Sequence, residues 1–255
     1  MKPTIQAKVF GAVAILFSTL VFTIPSANAA PACDGKVPVN SCVGVTSDGA
    51  PYAMQVPANF NGTVLIYSHG YRPNVDVPAG IPGYGGYKIT NTPETAPGQS
   101  GKDLTVTNYL LTKGYALAGS GFARQGWNAD SALATNKELI NTFKAKFPTT
   151  TKVMAWGQSL GGIITELMQE KYPELLNVAA PLCVADNISA ELQMAGDFLW
   201  GFKVLFDPSI KAGNYSAGAT GYAESMQDLV KVFTVLGKLQ ANIATNNWPD
   251  TASSI

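Results

Sequence analysis

The chain has 255 residues, of which 46% are hydrophobic and 13% charged, and its formal net charge is zero. That length supports one domain with a full core, and the charged share is about half the usual one, which suits a polar but weakly charged surface. A neutral chain without basic clusters excludes nucleic acid as a partner.

In chain order, Lys2 and Lys8 precede the apolar run Val9–Pro25, and Ala27-Asn28-Ala29 offers small residues at a cleavage point. This is the pattern of a secretory signal peptide over residues 1–29. The apolar core lies near the lower bound for a membrane span, so an uncleaved anchor is one alternative, and lipid attachment at Cys33 is another. Cleavage leaves no further membrane-spanning segment, and the expected location is secreted, periplasmic or on the exterior of the cell envelope. Export permits disulfides, so Cys33 and Cys42 are candidates to close a short loop, leaving Cys183 as a buried core thiol or the partner of a cysteine beyond Ile255. No His or Cys cluster has metal-binding spacing, so no metal site and no cofactor are expected.

Strand patterns follow at Tyr52–Val56, Thr63–Ser68, Tyr115–Ser120, Lys152–Trp156 and Val178–Val184. Helical patterns lie between them at Lys102–Lys113, Ser131–Phe147 and Leu160–Tyr172, with Gly114, Pro148 and Pro173 as stops. Alternating strands and helices predict an α/β fold with a doubly wound, mostly parallel sheet. Residues 72–101, rich in Pro and Gly, read as a long functional or mobile loop. Residues 188–255 carry two apolar helical periods, one through Ile188, Leu192, Ala195, Leu199 and Phe202, the other from Leu229 to Ile243.

The most specific signal is Gly157-Gln158-Ser159-Leu160-Gly161, directly after an apolar strand and directly before a helix. It reads as a nucleophile elbow: the strand-to-helix turn is so tight that only glycine fits two residues before and two after the serine. The turn lifts the Ser159 hydroxyl above the sheet at the N-terminus of the next helix, where amide donors favour an oxyanion. Upstream, Thr63–Ser68 runs into His69-Gly70-Tyr71. Together these segments resemble the α/β-hydrolase superfamily, over residues of about 50–187. The resemblance implies Ser159 as nucleophile, the backbone amides of Tyr71 and Leu160 as oxyanion hole, Gly157 and Gly161 as elbow glycines, and a helical lid after the sixth strand.

In that family a histidine follows the nucleophile, whereas His69 is the only histidine here and reads either as a structural residue ending a strand or, less directly, as a base. Asp186 is a candidate triad acid, or else a helix cap. Arg124, in the glycine-rich stretch Gly119–Trp127, reads as a solvated loop residue or part of a cleft, in a segment similar to those of prolyl-oligopeptidase-like and depolymerase-like secreted hydrolases. The expected organisation is a signal peptide over 1–29, an α/β-hydrolase core over 30–187 and a helical lid over 188–255, or simply core helices there, with the family's final strands lying beyond Ile255. A chain ending there is expected to leave the apolar lid face uncovered. The resemblance implies a secreted serine hydrolase acting on a small or polymeric carboxylic ester. Its alternatives are a prolyl-oligopeptidase-like serine peptidase and an inactive truncated binding remnant lacking the triad histidine. Oligomeric state is not legible.

Overall fold

The computed structural model describes residues 30–77, 79, 85–184 and 187–244. The expected signal peptide and Asp186 lie outside them. Seven strands form one sheet: β1 Ala32–Cys33, β2 Val39–Val45, β3 Pro51–Pro57, β4 Thr63–Ser68, β5 Ala116–Ser120, β6 Lys152–Gln158 and β7 Val178–Leu182. Their order is β1-β2-β3-β5-β4-β6-β7. β4, β5, β6 and β7 run parallel, β3 is antiparallel to β5, and β1 and β2 continue the sheet in antiparallel pairs. The helices are α1 Thr105–Thr112, α2 Ala129–Lys146, α3 Leu160–Lys171, α4 Ile188–Leu205 and α5 Gly218–Ala244. This is the α/β class expected from the alternating pattern.

Strand alternation divides the core between the two faces of the sheet. Val64 and Ile66 of β4, Ala116 and Ala118 of β5, and Val153 and Ala155 of β6 pack with Leu139, Ile140 and Phe143 of α2 and with Ile163, Ile164 and Met168 of α3. The intervening residues Leu65, Leu117, Met154 and Trp156 face the other way, toward Leu110 and Leu111 of α1. The central strands are therefore buried on both faces, which explains their nearly continuous apolar sequence.

The predicted elements survive with shifted ends. α1 starts at Thr105 rather than Lys102, because Lys102 sits in the left-handed region and the Asp103 carboxylate accepts the Thr105 N–H. Gly114, at φ 82°, ends it. β7 stops at Leu182 because Cys183 turns to φ 49°. Cys183 is exposed and free, so the expectation of a buried core thiol is corrected: the turn swings it out of the strand onto the surface. Cys33 and Cys42 do form a disulfide, between paired residues of β1 and β2. β1 and β2 escape a pattern reading because they form the sheet margin, and only Cys42 of β2 is fully buried.

α4 and α5 follow β7 and share a small core of Phe202, Ile210, Val232 and Val235. The Asn187 side chain, accepting the Ala190 N–H at 3.0 Å, caps α4. Large apolar side chains of α4, among them Phe198 and Trp200, are exposed. Among the described residues, no helix is long and apolar enough to cross a membrane.

Candidate active site

β6 ends at Gln158, and Ser159 takes φ 55° and ψ −126° before α3 begins. This sparsely populated conformation is held from both sides. The Ser159 N–H donates to the Leu182 carbonyl of β7 at 3.0 Å, and the Ser159 carbonyl accepts from Gly162 at 2.8 Å and Ile163 at 3.1 Å. Strand, turn and helix thus lock the serine at the C-terminal end of the parallel strands, with its side chain exposed. The Leu160 amide, first in α3, has no helical acceptor and is available to a ligand.

The elbow glycines meet the end of β4. A Cβ on Gly157 would stand 2.6 Å from the Ser68 carbonyl oxygen, and one on Gly161 would run into that same oxygen and lie 2.9 Å from the His69 oxygen. The loop after β4 therefore rests directly on the elbow. Where Gly70 would carry a Cβ, the Gln158 carbonyl oxygen is 3.4 Å away and the Ser159 Cβ 3.8 Å, which brings the start of the His69-Gly70-Tyr71 segment to the serine. Asn136 of α2 donates to the Ser68 hydroxyl at 2.9 Å, both groups being buried, and so fixes the strand end from which this loop departs.

His69 is 3% exposed and its ring lies 4.7 Å from that of Phe122. Its Nδ1 donates to the Gly70 carbonyl at 2.7 Å, and its buried Nε2 makes no hydrogen bond among the described residues, to Ser159 or to any other group. Burial and the nearby Arg72 guanidinium lower its pKa to about 4, against the weaker opposing pull of the Gly70 carbonyl. The imidazole is neutral in the folded protein at neutral pH and takes a proton more readily unfolded. Stability is therefore fully present above the ordinary value near 6.5 and is lost as pH falls through the folded value near 4, by about 3 kcal/mol in all. Denaturant midpoints measured from pH 7 to pH 4 are expected to trace this loss, and His69→Gln to flatten it. An unchanged slope in the variant would assign the pH dependence elsewhere.

Next to His69, Arg72 forms an ion pair with Glu94 at 3.1 Å, both side chains being largely buried. Arg72 also donates to the Thr92 carbonyl, and the Ser100 amide donates to Glu94 at 3.0 Å. The segment carrying Glu94 lies flat on the end of β5: a Cβ on Gly119 would run into the Glu94 carbonyl oxygen, and one on Gly121 into that of Asn91. On the other side, the Gly126 N–H donates to the Arg72 carbonyl at 2.9 Å and the Tyr71 ring lies 5.7 Å from the exposed Trp127. Arg124 is exposed and paired with Asp130, the solvated reading of that residue.

Of the residues expected from sequence, Ser159, Gly157, Gly161 and Leu160 come together at the elbow, and Tyr71 follows Gly70 beside it. Asp186 lies outside the described residues. Sequence reasoning missed Asn136, Arg72 and Glu94, which buttress the loop. Their only signal was polarity inside segments otherwise assigned to a helix or a long loop.

No protein-family model and no curated protein matches the chain. Among solved structures, it is similar to the esterase LipA of Xanthomonas oryzae, described as degrading rice cell walls, at 17% identity and TM-score 0.38, over 64% of this chain and 47% of that one. It is also similar to the Pyrococcus furiosus esterase Pf2001 at 16% identity and TM-score 0.40, over 76% of this chain and 63% of that one. The chain spans between about half and under two thirds of the length of these proteins. At such values the likeness carries no argument about function, which rests instead on the strand order and on the turn at Ser159.

Proposed function

We propose that this chain is an exported serine hydrolase in which Ser159 attacks the acyl carbon of a carboxylic ester and the amides of Tyr71 and Leu160 hold the oxyanion. The carrying observation is the conformation of Ser159, a non-glycine residue held at φ 55° between β6 and α3 with Gly70 packed beside it. Strain of this kind is retained where it places a reacting atom. The leader pattern over 1–29 and the Cys33–Cys42 disulfide support export. α4 and α5 are read as a lid over 188–255. The Tyr222 hydroxyl, donating to the Asp76 carbonyl at 3.1 Å, supports this by joining α5 to the loop that follows Tyr71.

Serine is a poor nucleophile until a base takes its proton, and the Ser159 hydroxyl has no hydrogen-bond partner among the described residues. Added imidazole is therefore the informative reagent. Intact-mass measurement after treatment with a fluorophosphonate is expected to show one adduct on Ser159, forming slowly alone, faster with imidazole, and not at all in Ser159→Ala. A folded chain that takes no label with or without imidazole would overturn the hydrolase reading in favour of an inactive binding protein.

A further inference from the structure

A cavity of about 710 Å³ opens beside Gly70, Tyr71 and Gln158 and runs back to Tyr67, Glu94 and Ser100. Its size falls within the range of small-molecule sites, and two of its lining residues, Gly70 and Gln158, adjoin Ser159. Its walls are unusual for a site that would take an alkyl chain. Tyr67 is 3% exposed, its ring packed 5.2 Å from that of Trp156, yet its hydroxyl has no hydrogen-bond partner among the described residues. Burial and the neighbouring Glu94 raise its pKa to about 12, so the phenol keeps its proton and both donates and accepts. The Ser100 hydroxyl is likewise without a partner among the described residues, while its amide holds Glu94. Arg72 and Glu94 add a fork of donors beside a carboxylate without net charge.

These groups discriminate by chemistry. An alkyl group filling the cavity would exclude water and strand the Tyr67 hydroxyl, at a cost of about 1–3 kcal/mol. An anion would meet Glu94 and a cation Arg72. Lys102, also lining the cavity, is exposed and adds no buried charge. A hydroxyl does both from a single atom, donating to a carboxylate and accepting from a phenol or guanidinium, where an amide needs two atoms held in one plane. We infer that this cavity receives a polyhydroxylated group of the substrate, of about the size of a sugar ring. The inference rests on the reading of Ser159 as the acyl acceptor, because that reading makes the neighbouring cavity a substrate site.

Binding is measured on the full chain carrying Ser159→Ala, which performs no chemistry, with methyl α-glucopyranoside and cyclohexanol as probes of similar ring size. Saturation-transfer NMR titration is expected to show saturable millimolar binding of the glucoside and none of cyclohexanol. Tyr67→Phe, which keeps the ring on Trp156, is expected to weaken the glucoside about tenfold, and Ser100→Ala to weaken it less. Thermal melting reports whether each variant folds, and Ser100→Ala, at an exposed position, carries the comparison if Tyr67→Phe does not. Tighter binding of cyclohexanol than of the glucoside, or glucoside binding indifferent to the folded variants, would overturn the polyol pocket. Because no turnover is involved, that failure is separate from a failure of phosphonate labelling.

Discussion

Gly161→Ala is expected to lose about 3 kcal/mol or more of stability and with it any labelling of Ser159. Two effects oppose each other at this position. Alanine is the better helix former by about 1 kcal/mol, and Gly161 lies in the first turn of α3. Yet its Cβ would overlap the Ser68 carbonyl oxygen, with the His69 oxygen 2.9 Å away. Both are backbone atoms of the strand end and loop, so neither yields as a flexible side-chain tip would. Overpacking against fixed structure costs about 1–3 kcal/mol and occasionally more, and steric conflict wins. Gly196 of α4 provides the control: nothing lies within 4 Å of its would-be Cβ, so Gly196→Ala should be stabilising by up to about 1 kcal/mol. Denaturant midpoints of the two variants should move in opposite directions. A stabilised Gly161→Ala would mean that the elbow does not press on β4.

Glu94→Ala should cost about 3 kcal/mol, through the charge it leaves behind more than through the contact it removes. Arg72 would keep its bond to the Thr92 carbonyl but lose its counter-ion at a largely buried site. Breaking such a pair costs about 3–5 kcal/mol, because the surviving charge stays desolvated. The lower end applies here, since both residues border the cavity and water reaches the guanidinium from it. Adding Arg72→Met to Glu94→Ala should recover most of the loss, as removing both partners commonly does. A thermal-melt double-mutant cycle checks this. Additive losses would mean that the two side chains act separately.

The parts of the fold that were legible from the sequence are those where burial imposes a period. β4 reads as Thr-Val-Leu-Ile-Tyr-Ser because both of its faces are covered, and the stops at Gly114, Pro148 and Pro173 fall where the backbone has no alternative. β2 was not legible, since a marginal strand with one fully buried residue needs no alternation and is defined by its register with β3. Cys183 was misread for a related reason: apolar neighbours suggest burial, but the positive φ that ends β7 turns the thiol outward. At the site, the elbow was legible because steric necessity writes glycine at fixed distances from the serine. The contacts of Asn136 with Ser68, and of Arg72 with Glu94, were not, because each joins residues distant in sequence through side chains that either partner would equally have turned to water.

The flat approach of the 91–95 segment to Gly119 and Gly121 divides the cavity wall into a frame and a rim. The frame is main chain laid on main chain, so its position is independent of which side chains the segment carries. The rim is made of side chains such as Thr90, Ser100 and Lys102, which flank that segment on either side in the sequence. Ligand preference is therefore separable from folding in this protein: randomising the rim should yield a library of folded variants with altered selectivity, whereas any residue larger than glycine at 119 or 121 would displace the frame and every rim position at once.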